Sequence, residues 1–276
     1  SYGTPAAKEV HNYAAALKVG FERVRTQHFI RLDDILVVQA TLEGKRTGLR
    51  KLPGTVLKNE TTGEVIYEPP QDALEVQRLM DNFVACLNRN EPGDPDPLVR
   101  MAVLHYQFES IHPFYDGNGH TGRILNLLHL VLHGLLDLPV LYLSRHIVRN
   151  KADYYRGLQA VRESGAWEAW VLYMLRGVEE TARETLARVA DIRSLMQETK
   201  QRLRRDLPKL YSQDLLNNLF RHPYTKIEFI ERDLGVSRPT AMKYLCDLGK
   251  AGFVDKTKMG RTNFYINKPL FTLLSR

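Results

Sequence analysis

The sequence predicts a mainly α-helical protein that contains one β-hairpin and is followed by a small α+β domain. Apolar residues recur at helical spacing through most of the first 200 residues, which predicts helices at 10–24, 73–87, 98–108, 124–136 and 167–188. The segment 52–70 interrupts this pattern. After Pro208 a new, shorter apolar pattern begins, so we expect one domain at 1–207 and a second at 208–276.

The interruption at 52–70 has the composition of a β-hairpin. The β-branched residues Val56, Val65 and Ile66 flank a polar turn that ends in Thr62 and Gly63.

Composition indicates a globular protein in a reducing compartment. The chain has 276 residues, of which 43% are hydrophobic and 26% charged. Its longest apolar stretch, 124–136, is shorter than the roughly 20 residues needed to span a bilayer, so we expect a buried helix and no membrane association. Two distant cysteines, Cys86 and Cys246, and no signal-peptide pattern predict a cytoplasmic protein.

The net charge of +7 is concentrated near the C-terminus. Residues 201–276 contain 15 Lys and Arg against 7 Asp and Glu, whereas residues 1–200 contain 24 against 25. The basic surplus therefore belongs to the second domain.

Residues 112–123, HPFYDGNGHTGR, form a polar cluster within apolar surroundings. Gly117 and Gly119 directly precede a predicted helix, so backbone N–H groups there can surround an anion, and the positive end of the helix favours a phosphate. Arg123 can bind further phosphate oxygens with both arms of its guanidinium.

Two other side chains in this cluster indicate chemistry on that phosphate. Asp116 would repel phosphates unless a cation lay between them, so we interpret it as a Mg²⁺ ligand. His112 has a side chain that titrates near neutral pH and can accept a proton from a hydroxyl. The cluster therefore predicts a site for nucleotidyl or phosphoryl transfer.

The cluster resembles the motif of the Fic family, H-P-F-x-[DE]-G-N-G-R-x-x-R, and matches it at every fixed position except His120. The segment 52–70 resembles the flap on which this family docks its target proteins, and 149–158 resembles the segment that closes over the nucleotide. The resemblance implies a protein adenylyltransferase, which transfers AMP from ATP to a hydroxyl side chain (Ser, Thr or Tyr) of a target protein or of itself.

The resemblance also assigns roles to residues. His112 would be the general base, and Asp116 would bind Mg²⁺ beside the nucleotide. Gly117, Asn118 and Gly119 would hold the phosphates of ATP, Arg123 would bind the γ-phosphate, and Asn150 and, more weakly, Gln107 would contact the adenine. The family further suggests a homodimer.

Two departures from the family leave an alternative open. His120 replaces an arginine, so one permanent positive charge near the polyphosphate is missing. The inhibitory motif [ST]-x-x-x-E-[GN] finds no match: QATLEG at 39–44 has Gln39 at its first position and lies where a core helix is expected. We expect that such an inhibitory helix would lie upstream of Ser1. The alternative function is a DNA-binding regulator whose Fic domain senses nucleotide with little or no turnover.

Other histidines have simpler interpretations. His129 and His133 have the spacing of two zinc ligands on one helix, but the sequence offers neither the glutamate of H-E-x-x-H nor a third ligand. His105 lies on an apolar helix and is expected to be a hydrogen-bonded core residue.

The second domain resembles a winged helix-turn-helix. One helix leads to a turn at Gly235, a second helix is capped by Ser237 with apolar positions at Met242, Leu245 and Leu248, and a hairpin turns at 259–260. Together with the charge of this domain, the pattern predicts DNA contacts, with protein docking as the other use of such a module. The candidate contacts are Arg238, Thr240, Lys243, Tyr244, Lys256, Lys258 and Arg261.

Overall fold

The structure is a computed structural model that describes residues 4–45, 48–58, 62–260 and 262–275. It is mainly helical with two small antiparallel sheets, which confirms the predicted fold class. By compactness the chain divides into residues 1–182 and 183–276. The boundary predicted at 207/208 lies just after the helix Trp167–Asp206, which continues without a break past residue 182. Leu203 of this helix packs into the core of the second unit.

The first unit contains helices and one short hairpin. In chain order these are α1 (Pro5–Gln27), α2 (Leu32–Glu43), β1 (Leu57–Lys58), β2 (Val65–Tyr67), α3 (Ala73–Asn88), α4 (Pro97–Ile111), α5 (Asn118–Leu132), α6 (Leu143–Arg149), α7 (Lys151–Ser164) and α8 (Trp167–Asp206).

Helix α5 is the centre of the first unit. Its residues from Ile124 to Leu130 are all buried, which explains the long apolar stretch in the sequence. The helix ends at Leu132 and not at Leu136 as predicted. Gly134 adopts a φ of +70°, a left-handed conformation that ends helices.

The predicted hairpin is present in the first unit. Strands β1 and β2 pair antiparallel, with Leu57 opposite Tyr67 and Lys58 opposite Val65. Thr62 lies in a turn, and Gly63 has the positive φ that the turn requires.

The second unit combines the end of α8 with a helical and sheet module. Its elements are α9 (Gln213–Arg221), β3 (Tyr224–Thr225), α10 (Ile227–Leu234), α11 (Arg238–Lys250), β4 (Asp255–Met259), β5 (Thr262–Ile266) and α12 (Lys268–Leu274). The strands form one sheet in the order β3-β5-β4.

The predicted helix, turn, helix and hairpin of the second unit are confirmed. One residue that was predicted to face the core does not do so. Gly235 ends α10 with φ +65°, and Ser237 is the N-cap residue of α11. Met242, predicted to face the core, is 51% exposed. Ala241 takes its place, because it lies four residues before Leu245 and shares the buried face with Leu245 and Leu248.

Candidate active site

The polar cluster 112–123 joins two helices of the first unit: residues 112–117 form a loop, and residues 118–123 form the first turns of the second helix. Helix α4 ends at Ile111, and His112 follows in a left-handed conformation with φ 47°. Gly117, with φ +77°, is the N-cap residue of α5. The loop therefore begins at the negative end of one helix and finishes at the positive end of the next.

Asn118 fixes the shape of this loop from within. Its side-chain amide donates to the carbonyl of Phe114 (2.8 Å), and its Oδ1 accepts from the N–H of Phe114 (2.9 Å). Both residues are buried. The side chain of Asn118 is thus occupied by hydrogen bonds to Phe114 inside the protein. Asn118 can therefore bind a phosphate only through its backbone N–H.

The first turn of α5 presents backbone donors. The first intrahelical bond runs from the N–H of Thr121 to the carbonyl of Gly117 (2.9 Å), so the N–H groups of 118–120 precede the hydrogen-bonded ladder. The N–H of Gly117 instead donates to Oδ1 of Asp116 (2.8 Å). Three N–H groups at a helix N-terminus are a suitable site for an anion.

Arg123 lies beside this anion site. A Cβ atom added to Gly119 would lie 3.1 Å from Nη1 of Arg123, which places the guanidinium against the first turn of α5. Its Nε atom is buried without a hydrogen-bond partner in the described part of the chain. An unpartnered buried donor is costly, so the site favours a ligand oxygen there.

His112 has the protonation state that a general base requires. Burial of the ring, followed by the charge of Arg50, lowers the pKa of His112 to about 4, although the carbonyl of Glu109 acts in the opposite direction. The imidazole is therefore neutral at pH 7 and able to accept a proton. Its Nδ1 atom is buried, so Nε2 is the nitrogen available to a substrate.

Buried polar side chains lie beneath the loop. His105 contacts the Tyr154 hydroxyl (2.9 Å) and the Asn126 amide (3.1 Å), which confirms its prediction as a core residue. Burial lowers the pKa of His105 to about 3 and raises the pKa of Glu109 to about 7. The charge of Arg123 lowers the pKa of both groups, so Arg123 lies close to each of them.

An open pocket of about 360 Å³ adjoins the loop, and two acidic residues in it were missed by the sequence analysis. Glu9 of α1 lies 3.3 Å from Nε2 of His120. Glu43, the last residue of α2, lies against Gly117: a Cβ atom there would be 2.6 Å from its Oε1. Burial and the nearby Asp116 raise the pKa of Glu43.

The segment QATLEG thus lies closer to the loop than its sequence indicated. Gln39 donates from Nε2 to the carbonyl of Asp116 (3.2 Å), and Glu43 borders Gly117. Gln39 and the helical position of this segment argue against the inhibitory motif. Its match at Glu43 and Gly44 was the signal that could have identified this contact.

Asn150 and Gln107 are not joined to the loop by any hydrogen bond in the described ranges. Asn150 lies between α6 and α7, where its side-chain amide donates to the carbonyl of His146 (3.0 Å). Gln107 is half-buried on α4.

The paired histidines make separate contacts. Nε2 of His129 lies 3.0 Å from the carbonyl of Pro97, and Nε2 of His133 lies 3.3 Å from that of Leu87. Within the described residues, no group of three or more His, Cys, Asp or Glu side chains could hold a metal ion.

The candidate DNA contacts of the second unit differ in their availability. Arg238 pairs with Glu228 (3.3 Å) and Glu231 (3.5 Å), and the hydroxyl of Thr240 bonds that of Ser237 (3.0 Å). Tyr244 packs partly into the core. Arg238 is nevertheless exposed, and the other exposed members are Lys243, Lys256 and Lys258. Arg261 lies outside the described residues.

Comparison with known families identifies both parts of the chain. Residues 24–130, which include the loop, match the model of the Fic/DOC family. Residues 195–270 match a model described as the C-terminal domain of SoFic-like protein adenylyltransferase. The chain therefore contains a Fic/DOC family domain followed by a SoFic-like C-terminal domain.

Curated proteins with similar sequences are named as protein adenylyltransferases. Fic-1 of Caenorhabditis briggsae is 30% identical over 157 residues, which are 56% of this chain and 28% of that protein. Fic of Aedes aegypti is 30% identical over 156 residues, 56% of this chain and 29% of that protein. This chain thus spans less than a third of the length of these two relatives.

Solved structures show the same fold. A Fic family protein from Desulfovibrio desulfuricans aligns with a TM-score of 0.57 at 22% identity, over 96% of this chain and 76% of its own. A Fic-1 fragment from Caenorhabditis elegans aligns with a TM-score of 0.51 at 25% identity, over 66% of this chain and 51% of its own. In the described part of this chain, no helix has both the length and the apolar character to cross a membrane.

Proposed function

We propose that this chain is a protein adenylyltransferase, which transfers AMP from ATP to the hydroxyl of a Ser, Thr or Tyr side chain in a target protein. One observation carries the proposal: a neutral imidazole, His112, and a guanidinium, Arg123, belong to the same short segment as three available N–H groups of a helix N-terminus. The names of the relatives support this activity over the alternative of a nucleotide-sensing regulator.

The phosphates of ATP would bind at the start of α5. The N–H groups of Asn118 and Gly119 point out of the first turn, and the left-handed Gly117 lets the chain approach the phosphate closely. Arg123 would bind the γ-phosphate, and an oxygen of that phosphate would accept from its unpartnered Nε.

The transfer step needs one proton acceptor. The target hydroxyl attacks the α-phosphorus, so a new O–P bond forms while the bond to pyrophosphate breaks. His112 takes the hydroxyl proton on Nε2, and pyrophosphate leaves. A histidine with a pKa of about 4 is a weak base, but it is available in its neutral form throughout the physiological range.

Asp116 is the residue that would hold Mg²⁺. Its carboxylate is exposed at the start of α5, and Mg²⁺ commonly takes one or two carboxylates together with phosphate oxygens and water. The donor set therefore fits this ion without a cage of protein ligands. Bound there, the ion would offset negative charge on the polyphosphate.

The remaining residues of the site follow from the family resemblance. We assign the adenine to Asn150 and, more weakly, Gln107, with the segment 149–158 closing over the nucleotide. The flap at 52–70 would align the target by strand pairing, for which the exposed edge of the β1–β2 pair is suited. The tip at 59–61 lies outside the described residues. We place the end of the catalytic module near residue 207.

Label transfer tests the activity. The chain is incubated with Mg²⁺ and ATP labelled on either the α- or the γ-phosphate, alone and with a cell lysate. α-Label on protein is the expected result. γ-Label on protein would show phosphoryl transfer, and no label despite measurable ATP binding would favour the regulator.

We further propose that the second unit is a winged helix-turn-helix that contacts DNA from residue 208 onwards. Its surplus of basic residues and the exposed Lys243, Lys256 and Lys258 support this. Lys256 and Lys258 are two residues apart on β4 and share a face. We expect the chain to bind a DNA duplex with an affinity that falls steeply as the salt concentration rises. The double variant Lys243→Gln/Lys258→Gln should make this dependence of affinity on salt concentration shallower. Salt-independent binding would contradict the proposal.

We also propose a cytoplasmic location and a homodimer. The free thiols of Cys86 and Cys246 support a reducing compartment. The dimer rests on the family resemblance and is tested by sedimentation.

A further inference from the structure

Arg50 is a charged side chain buried to 1% exposure at the C-terminal end of α4. Its Nε donates to the carbonyl of His112 (2.8 Å), and its Nη2 donates to the carbonyls of Ile111 (3.2 Å) and Pro70. The last carbonyls of a helix have no partner within the helix and carry partial negative charge. A planar guanidinium can satisfy several of them at once, whereas an ammonium group cannot copy this fork.

The same residue joins the loop to both ends of the flap. The backbone N–H of Arg50, just before the flap, donates to the carbonyl of Pro113 (2.9 Å). Pro70, at the other end of the flap, accepts from its side chain. One arginine therefore connects the two stems of the flap with the residues on either side of His112.

Two tyrosines strengthen this connection. The hydroxyl of Tyr67, in β2, donates to the carbonyl of Ser110 (2.9 Å). The hydroxyl oxygen of Tyr115, in the loop, accepts from the N–H groups of Lys51 (2.9 Å) and Leu52 (3.0 Å). The base of the flap and the loop thus form one hydrogen-bonded unit centred on Arg50.

The backbone of His112 needs such support. Its φ of 47° is uncommon for a residue with a side chain and raises the energy of the folded chain unless neighbouring contacts hold it. The bond from Nε of Arg50 is made to the carbonyl of this residue.

We propose that Arg50 is a positioning residue that holds the backbone of His112 in register with the flap, so that the base meets a hydroxyl presented there. This inference rests on the proposed function of His112 as the base. Arg50 acts through hydrogen bonds to carbonyls and does not contact substrate. Because a small misplacement of reacting groups costs large factors in rate, its loss should affect transfer more than ATP binding.

The charge of Arg50 provides an independent readout. Burial is the main cause of the low pKa of His112, and Arg50 is the next. Arg162 of α7 also lowers the pKa of His112 by its charge, and the backbone carbonyl of Glu109 in α4 raises it through a hydrogen bond. The carboxyl group of Glu109 itself has a pKa of about 7. Removing Arg50 should therefore raise the pKa of His112.

The test compares Arg50→Lys and Arg50→Met with the matched control Arg100→Lys. Arg100 is also buried, and it donates to the carbonyl of Arg89 in another part of the first unit. We expect Arg50→Lys to lower the rate of self-labelling from α-labelled ATP by about 10-fold or more while the Kd for ATP changes less than about 2-fold. Arg100→Lys should leave both within about 2-fold.

Nuclear magnetic resonance of His112 provides a second test, which does not depend on AMP transfer. We expect Arg50→Lys to shift the backbone amide resonance of His112 and Arg50→Met to raise the pKa of its imidazole, while Arg100→Lys does neither. If the wild-type chain labels nothing, the proposed function fails and this second test still decides the role of Arg50. An unchanged His112 amide resonance in folded Arg50→Lys, or an equal loss of rate in Arg100→Lys, would overturn the proposal.

Discussion

Nε2 of His120 lies 3.3 Å from Oε1 of Glu9, at the position where the Fic motif has an arginine. Burial and the charge of Arg123 lower the pKa of His120, while Glu9 and Asp116 raise it. Because the lowering effects dominate, the ring is mostly neutral at pH 7. The proposed phosphate site therefore lacks the permanent charge of an arginine and has an acidic neighbour instead.

Restoring the arginine should strengthen ATP binding. We predict that His120→Arg lowers the Kd for ATP·Mg²⁺ by about 10-fold, because a charge-assisted hydrogen bond to phosphate replaces a neutral one. Isothermal titration calorimetry measures the change. His120→Gln, which keeps a polar side chain without charge, should leave the Kd within about 2-fold. An unchanged Kd in His120→Arg would show that this position does not face the polyphosphate.

Removing the carboxylate at Glu43 should also strengthen ATP binding. This carboxylate lies against Gly117, beside the proposed phosphate site, and two like charges a few Å apart repel by about 1 kcal/mol even in water. We predict that Glu43→Gln lowers the Kd for ATP by about 5-fold. Glu22→Gln, an exposed change on α1, is the matched control. Weaker binding in Glu43→Gln would mean that the carboxylate contributes to nucleotide binding, for example through the metal ion.

Arg123 should distinguish ATP from ADP. If its guanidinium binds the γ-phosphate, Arg123→Lys loses the fork and weakens ATP binding by about 10-fold, which is about 1.4 kcal/mol, while ADP binding stays nearly constant. Competition titrations with the two nucleotides measure both values. Arg78→Lys, at an exposed ion pair, serves as control. Equal losses for ATP and ADP would place Arg123 on another phosphate.

The buried histidines predict loss of stability in acid. Burial lowers the pKa of His105 and His129 to about 3 and that of His112 to about 4, from an unperturbed 6.5. As the pH falls below 6.5 the unfolded chain gains protons that the folded chain does not, so the free energy of unfolding decreases. The raised pKa of Glu109, about 7, acts the other way between pH 7 and 4.5.

The three histidines together outweigh Glu109, so the free energy of unfolding should decrease as the pH falls from 6.5 to 4.5. The slope should be about 1.4 kcal/mol per pH unit for each proton by which the unfolded state exceeds the folded state. Urea unfolding at pH 6.5, 5.5 and 4.5 measures it, and His129→Gln should make the slope shallower. A stability that is constant over this range would show that these histidines are solvated in the folded protein.

The local parts of the site could be predicted from the sequence. The segment 112–123 is defined by the spacing of its own residues, because Gly117 sets the start of α5 and His112 directly follows the end of α4. Pairing of the flap followed from its β-branched residues and the turn at Gly63. Such features depend on neighbours in the chain, and sequence patterns report them directly.

Contacts between distant segments could not be predicted in the same way. Glu9 meets His120 across more than a hundred residues, and Arg50 contacts the carbonyls of Ile111 and His112 only after α4 has docked beside the flap. The prediction that Met242 faces the core was wrong for another reason. In a short helix, Met242 and Ala241 can each be placed on a face with Leu245 and Leu248, and packing within the second unit buries Ala241.

The central claim is that His112 is the base for AMP transfer, and it is tested most directly by the balance of products. The wild-type chain and His112→Ala are each incubated with α-labelled ATP and Mg²⁺, and AMP on protein is compared with pyrophosphate released. We predict equal amounts of the two products from the wild type, and neither from His112→Ala, although that variant still binds ATP. AMP on protein from a folded His112→Ala at the wild-type rate would contradict the account.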